Sequence, residues 1–238
     1  MKRLSSVVVF TVLVTGFGSP GASRAQGSEH LFVLFIDDLH LEFRSTPRLR
    51  ELIVRRILPV LMRDQQSVAV VTTGYSSVSI PPSTELEVVL SGIGRITGGG
   101  LRPDQILAPG GPDEGLHRAR IAIATALQTI EGLTTRAPGR KVVLIYVSGG
   151  YGEASVATDL AELASTANRV NATIHAFESR GLLGGPIPPP SPTRESAWMA
   201  YYSDAQNSLR ALAFATGGQM VSSPSEVDVA MERLASSP

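Results

Sequence analysis

The residues best suited to chemistry lie together in HLFVLFIDDLHLEF, positions 30–43, where Asp37 and Asp38 are followed by Leu39 and then His40. Paired carboxylates beside an imidazole can hold a transition metal and activate water, since imidazole suits zinc, copper or nickel and carboxylates supply hard oxygens. Three candidate ligands are few for such a site, and strand alternation sends Asp37 and Asp38 to different sides. The favoured reading is that one carboxylate accepts backbone N–H groups while His40 sits at the rim. Ser148, in Val147-Ser148-Gly149-Gly150, stands at a strand-to-helix turn where a hydrolase nucleophile would stand. The elbow pattern G-x-S-x-G fails there, because Tyr146 occupies the first glycine position. His175, the one histidine that follows it, falls inside a strand and reads as a core or edge residue rather than a base. Two glycine-rich stretches, 98–100 and 149–152, lack the following Gly-Lys-Ser/Thr or the G-x-G-x-x-G of phosphate loops, so their glycines read as tight-turn residues.

These groups must be held by strands and helices that the apolar pattern delimits. Leu31 to Ile36 are six consecutive apolar residues, as in a strand covered on both faces at the middle of a sheet. The carboxyl end of such a strand is where open α/β sheets place their ligand crevice. A helix is expected from Thr46 as N-cap and Pro47 as first helical residue, with Leu49, Leu52, Ile53, Ile57, Val60 and Leu61 on one face. Arg48, Arg50, Arg55, Arg56 and Arg63 lie largely opposite, interspersed with Glu51 and Asp64, and read as a solvated face rather than a phosphate site. Residues 67–73 form a second buried strand, paired as a hairpin with 76–80, which Pro81-Pro82-Ser83 ends. A helix over 84–96 leads to a loop over 98–111, read as a mobile rim or binding loop. Helices are further expected over 112–130, 154–170, 203–215 and 225–234, and strands over 142–147, 172–177 and 218–221. Residues 179–203 form a Gly/Pro-rich excursion at the sheet edge, with Pro188, Pro189, Pro190 and Pro192 barring regular structure. Beside its prolines, Trp198, Tyr201 and Tyr202 either present a sticky surface to a partner or fold back over the sheet edge. Strands alternating with amphipathic helices mean βαβ units, a mostly parallel sheet and helices on both faces.

Composition narrows the function classes. The 238 residues are 43% hydrophobic and 18% charged, in keeping with one globular domain and a sizeable core. Lys+Arg and Asp+Glu balance at 21 each, which gives no net field to draw nucleic acid or an anionic membrane. Residues 1–25 read as a signal peptide: Lys2 and Arg3, an apolar run over 4–17, then Ser23 and Ala25 ahead of a cleavage point. The run is shorter than the roughly 20 residues of a spanning helix, so no stable membrane anchor is expected after cleavage. A secreted or periplasmic location follows, and residues 26–238 form the single domain. With no cysteine, disulfides and thiolate metal ligation are excluded.

The ordered set FVLFIDDLH, QQSVAVVTT, APGRKVVLIYVSGG, ELASTANRVNATIHAFESRGL and SLRALAFATGGQM resembles the von Willebrand factor A-related domains of exported bacterial proteins, over residues 32–234. The resemblance implies a doubly wound, Rossmann-like sheet of about six strands. It also implies a divalent-ion site built from an Asp-x-Ser-x-Ser loop, a threonine and a later aspartate. Asp37 matches the leading aspartate, and a divalent cation such as magnesium would sit there. Leu39 and Leu41 stand in place of the two serines, Ser148 and Gly149 in place of the threonine and aspartate of the later turn, and no matching threonine occurs near 111–116. Hard cations need several converging oxygens, so the motif reads as degenerate and no cofactor is expected. The expected function is therefore non-catalytic binding of another protein or macromolecule through a crest of Asp37, Asp38, His40, Ser148, Gly149 and Gly150. The alternative is an exported metal-assisted hydrolase using Asp37, Asp38 and His40.

Overall fold

The computed structural model describes residues 30–152, 154–186 and 192–236. The expected signal peptide, 1–25, and the prolines at 188–190 lie outside the described residues. Six strands form one sheet: β1 (His30–Ile36), β2 (Val68–Thr72), β3 (Ser79–Ser83), β4 (Lys141–Ser148), β5 (Thr173–Glu178) and β6 (Met220–Val221). Their order is β3-β2-β1-β4-β5-β6. All neighbours run parallel except β3, which returns antiparallel along β2.

β1 lies inside the sheet and alternates its side chains between two apolar layers. Leu31, Val33 and Phe35 pack with Ala119, Ala122, Ile123 and Ala126 of α5 (Gly111–Arg136), Leu163 of α6 (Ala157–Arg169) and Leu209 of α8 (Glu195–Ala215). Phe32, Leu34 and Ile36 pack on the other face with Leu49 of α1 (Thr46–Leu52), Leu61 of α2 (Leu58–Leu61), Ile93 of α3 (Leu86–Arg95) and Met231 of α9 (Val227–Ser236). Fully burying one such side chain is worth ~1.5–3 kcal/mol, so this alternation fixes the register of the sheet. Helices therefore cover both faces, as the apolar run requires.

Several boundaries differ from expectation, each for a local reason. Pro81 and Pro82 lie inside β3 rather than ending it; β3 is an edge strand, where proline's missing donor costs no ladder bond. Ser45, not Thr46, holds the N-cap position of α1, while the Thr46 hydroxyl accepts the Gly98 N–H at 2.9 Å. A π-helical turn, Ile53–Ile57, joins α1 to α2. The loop after α3 contains a helical turn, α4 (Pro103–Ile106). α5 runs on to Arg136, beyond the expected end, because Ile130 and Leu133 continue its buried stripe. The excursion is shorter than 179–203: Ser179–Leu182 form the turn α7, and α8 already begins at Glu195. Trp198, 1% exposed, anchors that early start, which places it among the buried residues and not on a sticky surface.

Candidate functional site

The carboxyl ends of β1, β2, β4 and β5 meet where the chain, having gone from β1 to β2 on one side, reappears at β4 on the other. Asp37 extends β1 by one residue, its N–H donating to Val147 O at 2.8 Å. Its side chain is fully buried. The carboxylate accepts from His40 Nδ1 (3.0 Å to Oδ1), Ser148 Oγ (2.7 Å) and Tyr151 OH (3.1 Å), and shares the single hydroxyl proton of Thr73 (3.2 Å) with Asp38. Tyr146 OH bonds in turn to Tyr151 OH, extending the chain of hydroxyls into the core. Burial, the largest influence, pushes the Asp37 carboxyl up; the charge of His40 and the donors on His40, Ser148 and Tyr151 together outweigh it and hold the carboxyl below its ordinary range. Both phenols are pushed well above theirs, by burial first and by the Asp37 charge second, so they remain protonated donors.

Asp38, in the turn that follows β1, is equally buried, and Thr73 Oγ1 lies within reach of both carboxylates. Asp38 Oδ1 accepts from Thr73 Oγ1 at 2.5 Å and from the N–H groups of Gly74 (3.1 Å) and Tyr75 (3.2 Å); its Oδ2 accepts from Ser76 N–H at 2.5 Å. This is the backbone-capping role foreseen for one of the pair, and it pins the β2–β3 turn. Every oxygen of both carboxylates thus accepts a hydrogen bond from within the chain. Leu39 and Leu41 supply no oxygen, and among the described residues no group of three or more His, Asp or Glu side chains converges for a metal. The residues present therefore do not fit the divalent ion that the resemblance implies.

His40 is 7% exposed and not at the rim. Its ring stands edge-on to Tyr151 at 4.9 Å, Nδ1 faces Asp37, and Nε2 is buried without a partner. Among the described residues no hydrogen bond joins Ser148 to His40; both bond to the Asp37 carboxylate. A Ser-His-Asp relay needs the imidazole between serine and acid, whereas here the acid stands between serine and imidazole. His175 lies apart on β5, pushed down to about 4 by burial and by Lys141.

The structure brings together all six crest residues, Asp37, Asp38, His40, Ser148, Gly149 and Gly150, and buries every one. A macromolecule can therefore meet only the residues that cover them, which corrects the expectation of direct contact. The glycines serve close approach. A Cβ on Gly98 would fall 2.2 Å from Leu41 O, and Gly150 combines φ +75 with 2.1 Å to Ala205 O.

No family model and no curated protein matches the chain. Among solved structures, the chain is similar to the one titled "Crystal Structure of the TFIIH p34 N-terminal Domain", at 14% identity and a TM-score of 0.44, covering 87% of this chain and 97% of that one. This is a likeness of α/β outline, and no functional reading rests on it.

Beside the turn that Asp38 caps lies an open hollow of about 660 Å³, bordered by Phe43, Arg44, Tyr75, Gly99 and Arg102. Phe43 is 68% and Tyr75 59% exposed. The Tyr75 ring packs on Gly99, where a Cβ would fall 2.5 Å from the ring. Sequence reasoning missed Phe43, Tyr75 and Thr73. Thr73 was the most accessible of these: it follows the last residue of β2, and the parallel pairing of Ile36 with Thr72 sets it beside Asp37.

Proposed function

We propose that the chain is a non-catalytic recognition domain of the exported type, with the doubly wound architecture and degenerate metal motif of A-type domains, and that it binds another protein at its crest. The observation that carries this reading is the hollow flanked by exposed Phe43 and Tyr75, mounted on a turn that Asp38 ties down. Exposed aromatics held by a rigid scaffold are the usual anchors of protein interfaces, because they bury much area at little entropic cost. Internal use of the carboxylate oxygens speaks for recognition over metal-assisted hydrolysis, since a ligating carboxylate would have to surrender these bonds. Export is supported by the pattern of residues 1–25, and the balanced charge speaks against a nucleic-acid partner.

A photo-crosslinking residue placed at Met199, an exposed position away from the hollow, and another at Tyr75 test the reading in the native envelope. The expected outcome is one discrete protein adduct from Tyr75, none from Met199, and loss of the adduct with Phe43→Ala, since a hot-spot truncation costs ~2 kcal/mol or more. An adduct indifferent to Phe43→Ala would refute it. Calorimetry with magnesium, manganese, calcium and zinc tests the hydrolase alternative: tight binding abolished by Asp37→Ala would restore a metal site.

A further inference from the structure

Four buried side-chain nitrogens lack a hydrogen-bond partner among the described residues: His40 Nε2, Arg50 Nε, Arg180 Nε and Trp198 Nε1. Three of them gather at one place. The Arg180 guanidinium lies 5.5 Å from the centroid of the Trp198 ring, and Arg180 and His40 line a common void of about 10 Å³. Arg180 is 7% exposed; Nη1 donates to Gly149 O, yet no carboxylate among the described residues makes an ion pair with it. A buried cation without a contacting counter-ion is costly, and the unpartnered N–H groups of Arg180 Nε and Trp198 Nε1 add to that cost.

The neighbouring acids do not relieve it. Glu178, fully buried, accepts from the N–H groups of Arg180 and Gly181 and from Tyr202 OH, and so is turned to the backbone of α7. Glu42 senses the guanidinium but is pushed above its ordinary range, by burial first, with Arg180 and Arg44 opposing. The void on the His40 side admits nothing larger than a water. On its other side Arg180 borders a hollow of about 290 Å³ shared with Glu42, Ser45 and Arg48. Arg48 and Arg180 there outnumber the single carboxylate of Glu42.

We infer that Arg180 is the base of a carboxylate-binding site, reached through the hollow between Glu42, Ser45 and Arg48. A carboxylate matches the planar guanidinium fork and carries one negative charge. A phosphate dianion would meet stronger repulsion from Glu42. The carboxylate comes either from an acidic side chain of the bound protein, which rests on the recognition reading above, or from a small carboxylate in solution, which does not.

Trp198 is the chain's one tryptophan, and it reports directly on the guanidinium it carries. The protein is titrated with sodium acetate, sodium phosphate and an amidated peptide bearing one glutamate, each against sodium chloride at equal ionic strength, with Trp198 emission as the signal. Saturable responses to acetate and to the peptide are expected, about tenfold weaker in Arg180→Lys and several-fold tighter in Glu42→Gln. A peptide tighter than acetate points to a protein source; equal affinities point to a free small carboxylate. Should an Arg180 variant not fold, the Arg180 Nε–H resonance of the unaltered protein must still move downfield with acetate. No saturable response beyond chloride, phosphate binding tighter than acetate, or a stationary Nε–H resonance would overturn the assignment. Crosslinking at Tyr75 is independent of these readouts, so failure of one reading is separable from failure of the other.

Discussion

Replacing Asp37 by asparagine tests the assignment of this carboxylate as an internal clasp rather than a ligand. The side chain keeps its shape but loses its charge, and its new amide donors face hydroxyls and an imidazole that themselves donate to Asp37. Removing one partner of a buried, hydrogen-bonded charge pair costs ~3–5 kcal/mol. A domain of this size has about 5–15 kcal/mol in total, so the loss is a large share of its stability. At about 2–4 °C per kcal/mol, the variant's Tm falls by roughly 6–20 °C in scanning calorimetry. The acid limb supplies a second readout. The folded carboxyl is held below its unfolded value of 3.8, so its stabilisation is complete above that pH and is lost as pH falls through the folded value. Asp37→Asn lacks this increment, and its Tm declines less steeply below about pH 4. A rise in Tm would refute the reasoning, because it would mean that Asp37 is repelled in the folded protein and awaits a cation.

Asp38→Ala removes the acceptor of three backbone N–H groups. Hydrogen exchange at Gly74, Tyr75 and Ser76 is expected to quicken roughly thirtyfold to a hundredfold, and unchanged protection would contradict the pinned turn. His175, pushed down to about 4, stays neutral in the fold while the unfolded chain takes up a proton near 6.5. Stability therefore falls as pH drops from 6.5 toward 4, and His175→Gln should flatten urea midpoints over that window; a parallel decline in the variant would count against it.

The order and type of most elements were legible in the residues alone. Six apolar residues at 31–36, the stripe of small residues along α5 and the apolar run of β4 follow from backbone periods of 2 and 3.6, which act between near neighbours. Where proline or glycine decided a boundary, the outcome depended on position in the sheet: β3 keeps Pro81 and Pro82 because it is an edge. The proximity of Asp37, Asp38 and His40 was likewise visible, as was the capping role of one carboxylate. Which partners they take was not. Asp37 meets Thr73, Ser148 and Tyr151 across separations of 36, 111 and 114 residues. Those meetings come from the strand order and the crossovers, which no local period encodes. Burial of the crest, the exposure of Phe43 and Tyr75 beside it and the seating of Arg180 on Trp198 are set by which strand ends converge. Chemistry was thus written in the chain, while access to it was decided only when the sheet closed over the two aspartates.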